Sequence, residues 1–160
     1  MTVDYQTLNN QLSALLADET DALANSANFV GLLYGGISEI NWLGIYVLRD
    51  KELVLGPFQG LPACVRIPLG QGVCGVAADK NATVRVDDVH AFDGHIVCDP
   101  ESRSEVVVPL SVHGNLIGVL DIDSPRTARF TDADQAGVEL LCRTFEQKLA
   151  KDLKDVSDFI

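Results

Sequence analysis

Basic residues are scarce in this sequence. Its 160 residues include 12 Lys and Arg against 23 Asp and Glu, for a formal net charge of −11. Such a field repels phosphate backbones and anionic headgroups, which argues against nucleic-acid and membrane partners. Long hydrophobic runs are missing too. The longest uncharged stretch, residues 22–38, is interrupted by Asn25, Ser26, Asn28 and the Gly35-Gly36 pair, so no membrane span is expected. The opening MTVDYQTLNNQL has neither a basic n-region nor an apolar h-region. A cytoplasmic location is therefore the expectation. Repeats, low-complexity tracts and Pro- or Ser-rich linkers are absent. A single domain over 1–160 follows, with the tail 151–160 expected to fray. The four cysteines are too few for a disulfide scaffold, and they include no C-x2-C pair.

Apolar residues make up 47% of the chain and charged residues 22%, which suits a globular core. A chain of this length buries roughly 68–70% of its unfolded surface, so it needs neither a disulfide nor a metal to fold. Leu8, Leu12, Leu15 and Leu16 recur at helical spacing, and Asp21 can cap a second helix that ends at Gly35-Gly36. Trp42–Leu48 and Glu52–Gln59 read as a hairpin around Arg49-Asp50-Lys51. Val65–Pro68 is a short strand, and Leu69-Gly70-Gln71-Gly72 turns into a helix over Val73–Lys80. Thr83–Val86 is another strand, and Glu105–Val112 pairs with Leu116–Ile122 around His113-Gly114-Asn115. A last helix starts at Thr131, with Asp134 as its capping-box partner, and lines up Val138, Leu141, Cys142, Phe145 and Leu149. The pattern predicts an α+β fold, an antiparallel sheet flanked by helices.

The cysteines divide into two kinds. Cys142, on the apolar stripe of the last helix, reads as a small buried hydrophobe. Cys64 precedes a strand, and Cys74 opens a helix, where the dipole and free N–H groups are expected to lower its pKa. Cys98 lies in the aperiodic segment between Asp87 and Ser104, and loops of that length inside a compact domain tend to be functional. His90, His95 and Cys98 form H-x4-H-x2-C, which Cys64 or Cys74 could complete as a tetrahedral site. Cys64 and Cys74 are ten residues apart, however, so the spacing does not favour a metal, and both histidines read as solvated loop residues. Redox chemistry suits three such thiols better: one attacks an oxidised substrate and another resolves the product as a disulfide. Spacing alone leaves open which does which. Asp121 and Asp123, two apart in a strand, share one face and can bind a cation or tune a proton donor. Trp42 reads as core or as a pocket wall.

The Ile67-Pro68-Leu69-Gly70-Gln71-Gly72 turn, the Leu-Ile-Gly-Val-Leu-Asp-Ile-Asp-Ser-Pro strand and the Arg-Phe-Thr-Asp-Ala-Asp helix start resemble a GAF domain. A narrower likeness covers about residues 5–150. The spacing of Cys64, Cys74 and Cys98, the segment Asn41–Tyr46, the stretch Ser104–Pro109 and the Asp121-Ile122-Asp123 end together resemble the free methionine-(R)-sulfoxide reductases. The resemblance implies Cys98 as nucleophile, Cys64 as resolving cysteine and Cys74 as a second or alternative one. It implies Trp42, Glu105, Asp121 and Asp123 as the substrate pocket. Free methionine-(R)-sulfoxide would be the substrate and a thioredoxin-type dithiol the reductant, with no cofactor and with a homodimer through the N-terminal helices. The rival expectation is a non-catalytic GAF sensor. Such modules sit beside an output domain, for which 160 residues leave no room.

Overall fold

In the central strand Trp42–Arg49, Leu43, Ile45 and Val47 alternate with Trp42, Gly44 and Tyr46, and residues Trp42 through Val47 are all buried. A strand apolar on both faces needs a cover on each side. The computed structural model, which describes residues 2–160, supplies both. Its elements are α1 (Tyr5–Leu16), α2 (Ala22–Gly36), β1 (Trp42–Arg49), β2 (Glu52–Gln59), β3 (Arg66–Pro68), α3 (Gly72–Lys80), β4 (Val84–Val86), β5 (Ser104–Val112), β6 (Asn115–Ser124) and α4 (Asp132–Asp152). The strands form one sheet in the order β3-β2-β1-β6-β5-β4, with every neighbouring pair antiparallel. The α+β expectation holds. The element bounds shift by at most two residues, most at β6, which runs on to Ser124 and so takes Asp123 into the ladder.

One face packs against α1, α2 and α4. Leu43, Ile45, Val106, Val108, Leu120 and Ile122 meet Leu8, Leu12, Phe29, Leu33, Leu141 and Phe145 there. Cys142 is buried in this core, as its place on the stripe predicts, whereas Leu15 turns outward. The opposite face gathers Trp42, Tyr46, Val107 and Val119 under Val73, Cys74 and Ala77 of α3. It is only partly covered, and the site forms in the gap.

Asp134 ties the two ends of the chain together. Its carboxylate completes the capping box with Thr131 and also accepts the Tyr5 hydroxyl at 2.8 Å and the Arg129 guanidinium at 3.1 Å. The tethered Tyr5 ring lies against Gly137, where an added Cβ would sit 2.1 Å from the ring. Gly137→Ala is therefore expected to cost about 1–3 kcal/mol by overpacking. A thermal melt checks this, and an unchanged midpoint would show that α1 is free to move aside.

The tail packs against the core. Leu153 and Phe159 are buried against the main core, and the Arg49 guanidinium donates to the Ile160 carbonyl at 2.5 Å. Leu153, Val156, Phe159 and Ile160 give this acidic segment an apolar side, which outweighs its terminal position. Among the described residues, no helix is long and apolar enough to cross a membrane.

Candidate active site

The sheet register places the predicted pocket residues in line. Trp42 of β1 pairs with Asp123 of β6, and Asp123 pairs with Glu105 of β5. Directly opposed residues share a face, so one rung across three strands carries an indole and two carboxyls. The next rung on that face sets Gly44 opposite Asp121 and Asp121 opposite Val107. Gly44 leaves space for the indole: a Cβ there would lie 2.4 Å from Trp42 Cη2. Phe58 and Tyr46 stack along the indole with ring centroids at 5.5 and 5.8 Å.

Trp42, Tyr46, Glu105, Asp121 and Asp123 line a small, half-open cleft. Two loops form its mouth. The loop after β2 carries Cys64 and is held from below by β1: the Trp42 indole N–H donates to the Leu61 carbonyl at 3.0 Å, and the Tyr46 hydroxyl donates to the Cys64 carbonyl at 2.9 Å. The segment between Asp87 and Ser104 carries Cys98. Backbone bonds from Val89 N–H to the Arg103 carbonyl (2.8 Å) and from Arg103 N–H to the Ser124 carbonyl (2.7 Å) close its ends. Just beyond Cys98, the Asn41 amide donates to Asp99 at 2.9 Å and to Ser102 at 3.2 Å. Cys64 and Cys98 are joined by a disulfide across the mouth, with Cα atoms 5.4 Å apart. Both are half-buried.

The floor holds a concentration of acid. Glu105 and Asp121 are 5% and 6% exposed. Burial, reinforced by Asp121 and Asp123, pushes the Glu105 carboxyl well above the ordinary range. Burial raises Asp121 to about 6, and burial together with Asp121 and Asp99 raises Asp123. Like charges this close disfavour one another's ionisation, so these carboxyls hold their protons more tightly than free ones do.

Cys74 sits among these acids, with its sulfur 3.8 Å from Glu105 Oε1. The sequence expectation of a helix-activated thiol fails here. Cys74 is indeed in the first turn of α3, but burial and the nearby Asp121 and Glu105 push its pKa up. Desolvation and like charge outweigh a dipole worth about 0.3–1 kcal/mol at most sites. Gly72, the residue that opens α3, has φ +64, and its position would bring a Cβ to 3.2 Å from Ile96 of the Cys98 loop.

The two histidines part company. His90 is exposed and leans on Asp88, as a solvated loop residue does. His95 does not match that expectation: its ring is only 13% exposed, lines the cleft and places Nε2 3.9 Å from Glu105 Oε2. Burial lowers its pKa, with a smaller contribution from His90. The tetrahedral set drawn from His90, His95, Cys98 and Cys64 or Cys74 is not assembled, because His90 is exposed and Cys64 and Cys98 are bonded to each other. The sequence assigns no individual role to Tyr46, Asn41, Asp99 and Ser102. Their polar atoms hold the two loops, and no spacing rule marks such contacts.

Comparison with known proteins agrees with this geometry. The GAF domain family model matches residues 11–149. The free methionine-R-sulfoxide reductase of Escherichia coli is 54% identical over 91% of this chain and 88% of its own. The Saccharomyces cerevisiae protein of the same name is 42% identical over 81% and 70%. The crystal structure of the free methionine-R-sulfoxide reductase from Neisseria meningitidis in complex with its substrate superposes with a TM-score of 0.89 at 43% identity, covering 92% and 89% of the two chains. With its redox-capable thiols and its acid-floored cleft in place, the chain belongs to the GAF domain family and, within it, to the free methionine-R-sulfoxide reductases, a group of oxidoreductases.

Proposed function

We propose that the chain reduces free methionine-(R)-sulfoxide to methionine and water at the expense of a thioredoxin-type dithiol. The observation that carries the reading is the Cys64–Cys98 disulfide at the mouth of a cleft floored by Glu105, Asp121 and Asp123 and walled by Trp42. The carboxylates receive the substrate ammonium, and the indole packs on the S-methyl group. The Cys98 thiolate attacks the sulfoxide sulfur. A carboxyl that holds its proton more tightly than usual, Glu105 or Asp123, protonates the sulfoxide oxygen, which passes to the Cys98 sulfur as its bond to the substrate sulfur breaks. Methionine leaves, and Cys98 is left as a sulfenic acid. The Cys64 thiol condenses with it, releasing water and forming the disulfide. A dithiol then exchanges with that disulfide and restores both thiols. Cys74, already on the pocket floor and outside the disulfide, stays a thiol through the main cycle and stands as the alternative resolver. In the same reading, the chain pairs with a second copy through α1 and α2, where Leu15 and Leu23 are exposed.

The test is a thioredoxin-coupled assay on four substrates: the R and S sulfoxides, each free and peptide-bound. The expected result is turnover of the free R form alone. Comparable turnover of a peptide-bound sulfoxide would sink the reading. Tight binding of another small molecule with no turnover would support the sensor instead.

A further inference from the structure

We propose that the pocket floor is also a site for a thiophilic divalent cation of the zinc type, and that an ion bound there excludes the substrate. The ligands are Cys74, Glu105 and Asp121. Their sulfur and carboxylate oxygens lie within 4.8 Å of one another, and all three residues are buried. His95 lies just outside this set, its Nε2 3.9 Å from the second oxygen of Glu105, and its ring turns in to become the fourth ligand. These residues come from three different elements and the mouth loop, which is how a preformed cage is built rather than a run of surface acids.

Two further observations point to a cation. Asp121 is 6% exposed, lines the cleft, and its Oδ1 is buried with no hydrogen-bond partner. A buried acceptor left unpaired is costly, and a cation would relieve it. In addition, no Lys or Arg lines the cleft, so the acids there face no permanent positive charge. The donor set decides between ions. Calcium and magnesium take oxygen cages, whereas one thiolate, one imidazole and two carboxylates suit tetrahedral zinc. With Zn–S near 2.3 Å and Zn–O near 2.0 Å, a tetrahedron has a sulfur–oxygen edge of about 3.5 Å. The Cys74–Glu105 separation is 3.8 Å, so that edge of the tetrahedron is close to formed.

The site differs from the tetrahedral set considered from sequence, because it uses neither cysteine of the disulfide. That makes it testable in the isolated oxidised protein, where Cys64 and Cys98 cannot ligate. Cobalt(II) is titrated first as a visible probe, then displaced by zinc. One equivalent of cobalt should give a thiolate-to-cobalt charge-transfer band together with the visible bands of a tetrahedral ion. Cys74→Ala should abolish the charge-transfer band, Asp121→Asn and His95→Gln should each weaken binding about tenfold or more, and Cys142→Ala should leave it unchanged. A missing band in the wild type, or a band that survives Cys74→Ala, would overturn the site. If Cys74→Ala does not fold, undiminished cobalt affinity in a folded Asp121→Asn protein overturns it as well. The exclusion half rests on the reading that these acids receive the substrate ammonium. With free zinc held by a metal buffer, free methionine should therefore raise the apparent zinc Kd beyond what its own chelation of the ion accounts for. Zinc binding indifferent to methionine would leave the cation site standing and overturn the exclusion. An absent cobalt signal beside normal sulfoxide turnover would overturn the site and leave the reductase reading intact.

Discussion

Cys98→Ser is expected to abolish steady-state reduction of free methionine-(R)-sulfoxide, with kcat falling roughly a thousandfold or more, as loss of a covalent nucleophile does elsewhere. A serine hydroxyl at neutral pH offers none of the thiolate character that attack on sulfur requires. Cys98 is half-buried in a loop and belongs to neither apolar core, so the reduced variant should melt with the reduced wild type. A loss of activity would then be chemical. Cys64→Ser should behave differently: about one equivalent of methionine per chain in a single turnover, then slow recycling through a sulfenic acid that a dimedone-type trap can capture. Steady-state turnover retained by Cys98→Ser would remove Cys98 from the mechanism. Normal recycling by Cys64→Ser would pass the resolving role to Cys74.

The second large effect lies on the other side of the sheet. Phe145 of α4 is fully buried and stacks on Phe29 of α2, ring centroids 4.3 Å apart and planes 3° from parallel. Phe145→Ala should cost about 3–5 kcal/mol, from lost transfer energy plus the cavity left behind. Against a total stability of about 5–15 kcal/mol, that is a large share. At about 2–4 °C per kcal/mol for a domain of this size, the melting midpoint should fall by about 6–20 °C. Thermal denaturation followed by circular dichroism measures it. Because the cleft is on the opposite face, the kinetic constants well below the transition should change little. A midpoint shift under about 2 °C would mean that the helical layer closes the gap by itself.

How much of this was legible in the sequence depends on how local each cause is. The caps at Asp21 and Thr131 act within three residues and were readable. The hairpins and the two-faced apolar character of Trp42–Leu48 are short-range too. Asp121 and Asp123 on one face followed from strand periodicity alone. By contrast, the rung Trp42–Asp123–Glu105 joins residues far apart in the chain, and only a family likeness could gather them. His95 was misread because a loop histidine looks the same whether the loop faces water or folds over a cleft. Its place three residues before Cys98, on a segment with both ends pinned, is the signal that could have found it. The misjudged Cys74 shows that a helix start says little about a thiol until its burial is known.

The three-strand rung also acts as a ruler. Neighbouring strands are spaced about 4.8 Å apart, so the indole wall and the Glu105 carboxyl are rooted about two spacings, or roughly 10 Å, from each other. That interval belongs to the backbone ladder, and no side-chain substitution can lengthen it without parting hydrogen-bonded strands. The breadth of what fits between wall and acid is thus fixed in units of strand spacing. Any evolved or engineered preference for a bulkier sulfoxide has to come from trimming Trp42 or from the two loops that carry Cys64 and Cys98, whose lengths the sheet does not dictate.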